Sequence, residues 1–76
     1  MKLYAGGYLT FFMPDQQPEV DRDLPEPIQL RKLLVKMGIP PGDVRLVILN
    51  GEIVDLEQVL LKNQDEVKVF PGVDGG

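Results

Sequence analysis

The residues of this chain best placed to do chemistry are its last two, Gly75 and Gly76, which close the run Phe70-Pro71-Gly72-Val73-Asp74-Gly75-Gly76. A terminal glycine carboxylate is the slimmest acyl group a polypeptide can present, because residues without Cβ atoms thread a channel that excludes side chains. With an α-carboxyl pKa of about 3.3 to 3.7 it is ionised at neutral pH and a poor electrophile until a partner activates it. The six residues after Phe70 reach roughly 20 Å at about 3.3 to 3.6 Å each, enough to enter another protein's active site. The plainer reading is a frayed end, since termini are commonly small and loosely held. The body of the chain must decide between the two.

Composition narrows the chemistry first. Seventy-six residues make one domain with a thin core, burying about 60 to 65% of the unfolded surface. There is no cysteine and no histidine, which removes disulfides, iron–sulfur clusters, thiolate zinc sites and any Cys-His or Ser-His nucleophile. The expectation is a chain that binds no metal or cofactor and leaves catalysis to others. A net charge of -4 disfavours nucleic-acid binding, which needs clustered Lys and Arg, and suits a basic partner surface. The longest apolar run, Leu46 to Leu49, is far short of the roughly 20 residues of a membrane span, so a soluble, cytoplasmic protein is expected.

At the N-terminal end, Lys2 to Met13 alternates and reads as a strand, with Leu3, Ala5, Leu9 and Phe11 on one parity and Tyr4, Tyr8, Thr10 and Phe12 on the other. Gly6-Gly7 interrupts it as a bulge, a close backbone approach or the end of a loose lead-in. Pro14 to Pro18 is a turn. Glu19 to Leu24 reads as an edge strand, its acidic residues blunting strand addition, and Pro25-Glu26-Pro27 ends it. Leu30, Leu33, Leu34 and Met37 then mark one face of a helix, with Arg31, Lys32 and Lys36 opposite. The helix lacks an N-cap residue, while Lys36 and Gly38 signal its end, with Ile39 folding back over it.

Val44 to Leu49 reads as an interior strand, and Asn50-Gly51 as a two-residue hairpin turn pairing Leu49 with Glu52, Ile48 with Ile53 and Val47 with Val54. Val47, Leu49 and Val54 then face the helix, while Leu46, Ile48 and Ile53 face away. Asp55 to Leu61 connects, with room for a short helical turn; Lys62 to Asp65 turns; Glu66 to Phe70 is the last strand. Carboxylate pairs such as Asp21 and Asp23, or Asp65 and Glu66, read as solvated charge. This order predicts an α+β fold, a ubiquitin-like β-grasp with a mixed sheet of four to five strands under one main helix. The first and last strands lie parallel at its centre. The β-grasp domain spans residues 1–70 and a flexible tail 71–76.

The residues Leu49-Asn50-Gly51-Glu52-Ile53-Val54, Gln64-Asp65-Glu66-Val67-Lys68-Val69-Phe70-Pro71 and terminal Gly75-Gly76 together resemble the MoaD/ThiS family of ubiquitin-like sulfur carriers. Within it, the Phe70-Pro71 exit is more similar to the small subunit of molybdopterin synthase than to the thiamine sulfur carrier. Gln64, Gly72 and Asp74 depart from the family pattern; none touches the terminal glycines. The resemblance implies that a ubiquitin-activating-type adenylyltransferase uses ATP to adenylate Gly76, and that a sulfurtransferase persulfide then displaces AMP. The resulting C-terminal thiocarboxylate donates sulfur in molybdenum or tungsten cofactor synthesis, through the large subunit of molybdopterin synthase, or alternatively to thiazole synthase. The chain is then a carrier or co-substrate, at most the small subunit of a synthase.

Two further readings compete: a ubiquitin-like modifier joined to lysines, and a plain β-grasp interaction module with incidental glycines. Sheet parity adds an expected docking patch of Leu46, Ile48, Ile53 and an exposed Phe70, extended by Phe12, beside the tail residues Pro71, Gly72, Val73 and Asp74.

Overall fold

The computed structural model of the chain describes residues 1–72, and Val73, Asp74, Gly75 and Gly76 lie outside the described residues. The first strand, β1 (Lys2–Ala5), keeps the expected alternation, with Leu3 and Ala5 fully buried. It stops far short of Met13. Gly7 takes φ of 56°, and Gly7–Phe12 winds into a 3₁₀ helix followed by a second short turn, Pro14–Gln16. Local bonds outcompete a ladder here. The Leu9 N–H donates to Gly6 O (3.1 Å), the Thr10 hydroxyl to Ala5 O (2.8 Å) and the Met13 N–H to Thr10 O (3.0 Å). Leu9 and Met13 anchor the segment in the core, while Phe11, assigned to the same face as Leu9, is exposed.

Strand β2 (Glu19–Asp21) pairs antiparallel with β1, matching Tyr4 to Glu19, Leu3 to Val20 and Lys2 to Asp21. It is an edge strand as expected, but it ends at Asp21 rather than Leu24 because β1 offers no further partner. The Arg22 N–H takes Met1 O (2.8 Å), and the Leu24 N–H turns away to the Asn63 side chain (2.7 Å).

Helix α1 (Leu30–Met37) follows a two-residue strand, β3 (Ile28–Gln29), and buries Leu30, Leu33 and Leu34 on the expected stripe. Gln29 makes no side-chain cap. The Leu30 N–H instead donates to Val59 O at 3.0 Å, so one orphan donor of the first turn is satisfied from outside the helix. Gly38 ends the helix at φ 82°, and the buried Ile39 folds back with its N–H on Leu34 O (2.9 Å).

Strands β4 (Val44–Leu49) and β5 (Glu52–Val54) form the Asn50-Gly51 hairpin in the expected register, with φ of 50° and 88° at the two turn residues. The connection beyond holds a 3₁₀ turn, Leu56–Gln58, ion-paired to α1 through Glu57 and Arg31, and then strand β6 (Leu60–Leu61). β6 pairs with β3 in a separate two-stranded sheet that periodicity did not reveal. The last strand, β7 (Glu66–Pro71), is the sheet's centre. The five-stranded order is β2-β1-β7-β4-β5, with β1 and β7 parallel and the other pairs antiparallel. Leu3, Ala5, Val47, Val67 and Val69 of this sheet meet Leu30, Leu33, Leu34, Val59 and Leu61 to form the core. Among the described residues no helix is long and apolar enough to cross a membrane.

Candidate functional site

Because the tail leaves from the central strand, the site is built where β7 ends. Gly6 continues β1 by one ladder bond, its N–H donating to Val69 O at 2.9 Å. Its missing side chain is then used: a Cβ on Gly6 would lie 2.5 Å from Cδ1 and 2.8 Å from Cε1 of Phe70. One residue on, a Cβ on Gly7 would lie 2.8 Å from Cγ of Pro71. Of the three meanings open to Gly6-Gly7, the structure selects the close approach. Phe70 and Pro71 rest on bare backbone.

Phe70 is half-buried, a correction to the expectation of an exposed ring. Besides Gly6 beneath it, the ring faces Tyr4, with centroids 5.8 Å apart and planes tilted by 51°, within the range of favourable aromatic pairs. Alternation puts Phe70 on the sheet face opposite α1. The ladder sets Leu46 beside Phe70, and Ile53 beside Ile48, which neighbours Lys68. Leu46, Ile48, Ile53 and Phe70 thus share one open face; Leu46 is 36% and Ile53 75% exposed, while Ile48 is half-buried. Tyr4 joins them, a residue that sequence reasoning left out although its parity opposite Leu3 was the available signal. Phe12 is partly exposed but sits on the 3₁₀ turn, outside the strands that carry the patch. Pro71 is the last residue of β7, opposite Val44, and Gly72 is exposed beyond it. Between Val44 and Leu46 the register shifts, so β4 carries a bulge beside the tail's root.

At the other end of β7, Asp65 is not the solvated charge expected. Its carboxylate accepts from Asn50 Nδ2 (3.0 Å) and the Lys62 N–H (2.8 Å), and these bonds, the Asn50 one foremost, hold it below the usual carboxylate range. Asn50 Oδ1 in turn accepts from the Glu66 N–H (2.9 Å). The two motif residues fasten the hairpin to the start of the final strand, the opposite end from Pro71.

Among the described residues no group of three or more His, Cys, Asp or Glu side chains could hold a metal ion. What the described residues do offer is an apolar sheet face, Leu46, Ile48, Ile53 and Phe70, beside Pro71 where β7 ends. No curated protein matches the chain. The sequence model of the ThiS family does match, over residues 11–76, and the mixed five-stranded sheet under one main helix is a ubiquitin-like β-grasp. With most of its length matched, the chain belongs to the ThiS family and is a ubiquitin-like sulfur carrier.

Proposed function

We propose that the chain carries sulfur as a thiocarboxylate on Gly76 for synthesis of the molybdenum or tungsten cofactor. Carriers of its family interact with adenylyltransferases and with enzymes that use the sulfur. The observation that supports the reading best is the placement of Phe70. The last aromatic before the tail lies on the same open face as Leu46, Ile48 and Ile53, so a partner that covers this face meets the tail at its root.

A ubiquitin-activating-type adenylyltransferase uses ATP on Gly76: a carboxylate oxygen attacks the α-phosphate, pyrophosphate leaves, and the unreactive anion becomes a mixed anhydride. A sulfurtransferase persulfide displaces AMP, and a thiol then cleaves the sulfur–sulfur bond to release the thiocarboxylate. The chain itself contributes position and the acyl carbon; it binds neither the ATP nor any cofactor of its own.

Intact mass spectrometry after incubation with adenylyltransferase, ATP and a persulfide donor tests the first half. An oxygen-to-sulfur mass shift confined to the C-terminus is expected, and covalent adducts on lysines of other proteins without such a shift would favour a protein modifier. Offering the loaded carrier to the large subunit of molybdopterin synthase and, separately, to thiazole synthase tests the second. Sulfur released to the first alone is the expected outcome; release to the second alone would move the carrier to thiamine synthesis.

A further inference from the structure

Two consecutive glycines lie under two consecutive residues at the point where the tail leaves the sheet, and each pair is closer than any side chain allows. A Cβ on Gly6 would stand 2.5 Å from the Phe70 ring, and one on Gly7 would stand 2.8 and 3.2 Å from Cγ and Cδ of Pro71. At Gly38, Gly42 and Gly51, by contrast, a Cβ would meet nothing within 4 Å. The two contacts differ in kind. The Phe70 ring can swing about its side-chain torsions, but the Pro71 ring is closed onto its own backbone, so whatever displaces it displaces the chain that runs on to Gly72. The Gly6 N–H on Val69 O, at 2.9 Å, fixes the seat to the strand it serves.

We propose that Gly6 and Gly7 are positioning residues for the tail, a seat that sets the direction in which the chain leaves Pro71 and so the delivery of Gly76 to its activating partner. The inference rests on Gly76 as the activated carboxylate. It adds that the N-terminal segment sets the direction in which the chain leaves Pro71. Docking through Leu46, Ile48 and Ile53 is a separate function, because those residues lie on β4 and β5 and have no part in the seat.

The test compares Gly7→Ala with Gly38→Ala. Both replace a glycine at positive φ, 56° and 82°, and both carry that backbone strain, but only the first pushes on Pro71. Two readouts are taken on the full chain: residual dipolar couplings of the Gly72 amide, and carrier-dependent ATP–pyrophosphate exchange by the adenylyltransferase. Gly7→Ala should change the Gly72 coupling and lower kcat by about tenfold to a hundredfold, the scale of a displacement near 1 Å, with KM for the carrier close to wild type. Gly38→Ala should leave both in place. Equal kcat values for the two variants, an unchanged Gly72 coupling, or an effect confined to KM would overturn the proposal.

Should Gly7→Ala not fold, Pro71→Ala replaces it, removing the ring atoms that lie over Gly7 while leaving Gly7 itself intact; a Gly72 coupling and kcat unchanged in that variant would equally overturn the seat. If the wild-type chain supports no exchange, the reading of Gly76 falls, and the Gly72 couplings decide the seat on their own.

Discussion

Asn50 and Asp65, fifteen positions apart, close a ring of hydrogen bonds that ties the β4–β5 hairpin to the turn before β7: amide to carboxylate at 3.0 Å, and Glu66 N–H back to the Asn50 oxygen at 2.9 Å. The Lys62 N–H completes the carboxylate's shell. Both residues lie beside the start of β7, the opposite end from Pro71, so their effect is on stability.

Asn50→Gly isolates the amide, because glycine adopts the φ of 50° without strain. The Asp65 carboxyl should titrate higher in this variant, followed by carbonyl NMR, and the fold should lose about 1 kcal/mol. The pH dependence has a definite sign. Asp65 is held below its unfolded value near 3.9, so its contribution is fully present above that value and is lost as pH falls through the lower folded one. Wild type should therefore resist acid better than Asn50→Gly, with the difference vanishing once both carboxyls are protonated.

Leu9→Ala should cost about 2 to 5 kcal/mol, as for a buried leucine, whereas Phe11→Ala should stay within about 0.5 kcal/mol. Leu9 is fully buried and Phe11 70% exposed. Chemical denaturation of the two variants checks this; equal costs would restore the strand that the alternation suggested.

Ile53→Ala, at a position 75% exposed, should leave the melting temperature nearly unchanged and weaken adenylyltransferase binding about tenfold, or roughly 1.4 kcal/mol. Isothermal titration separates the two effects. Phe70→Ala should weaken binding as well and also cost some stability, because its ring packs on Tyr4 and Gly6.

Asp74→Ala tests the charge beside the terminal glycines. If a Lys or Arg of the partner meets this carboxylate, the substitution lowers affinity at low ionic strength and has little effect at high salt, where exposed charges are screened. Affinity equal to wild type at low salt would remove that contact.

What could be read from the residues was whatever is local. Asn50-Gly51 carries its own turn geometry and hence the β4–β5 register and the two faces of the hairpin; the leucine spacing and Gly38 carry α1. The β3–β6 pair was not legible, because two residues a side are too few to show a period. Tyr8 to Phe12 misled for a physical reason: the strand-like parity coexists with a Thr10 hydroxyl and a Gly7 backbone that favour a tight turn. The contact of Gly6 with Phe70 joins opposite ends of the sequence, so only the glycines themselves hinted at it. Gly75-Gly76 suggested carrier chemistry from residue type alone, while the approach of Gly7 to Pro71 is set by tertiary packing that no local pattern encodes.

The parallel pairing of β1 with β7 has a consequence for how the chain folds. Lys2 sits opposite Glu66, and β7 fills the middle of the sheet rather than its rim. The hairpin and α1 can form early from neighbours in sequence, but the core stays open until the last strand enters between β1 and β4. Contacts of such separation slow folding towards the millisecond-to-second range typical of non-local topologies. Closure of the core and the settling of Phe70 and Pro71 on Gly6 and Gly7 are then a single event, so a half-folded chain lacks the root from which its last residues run.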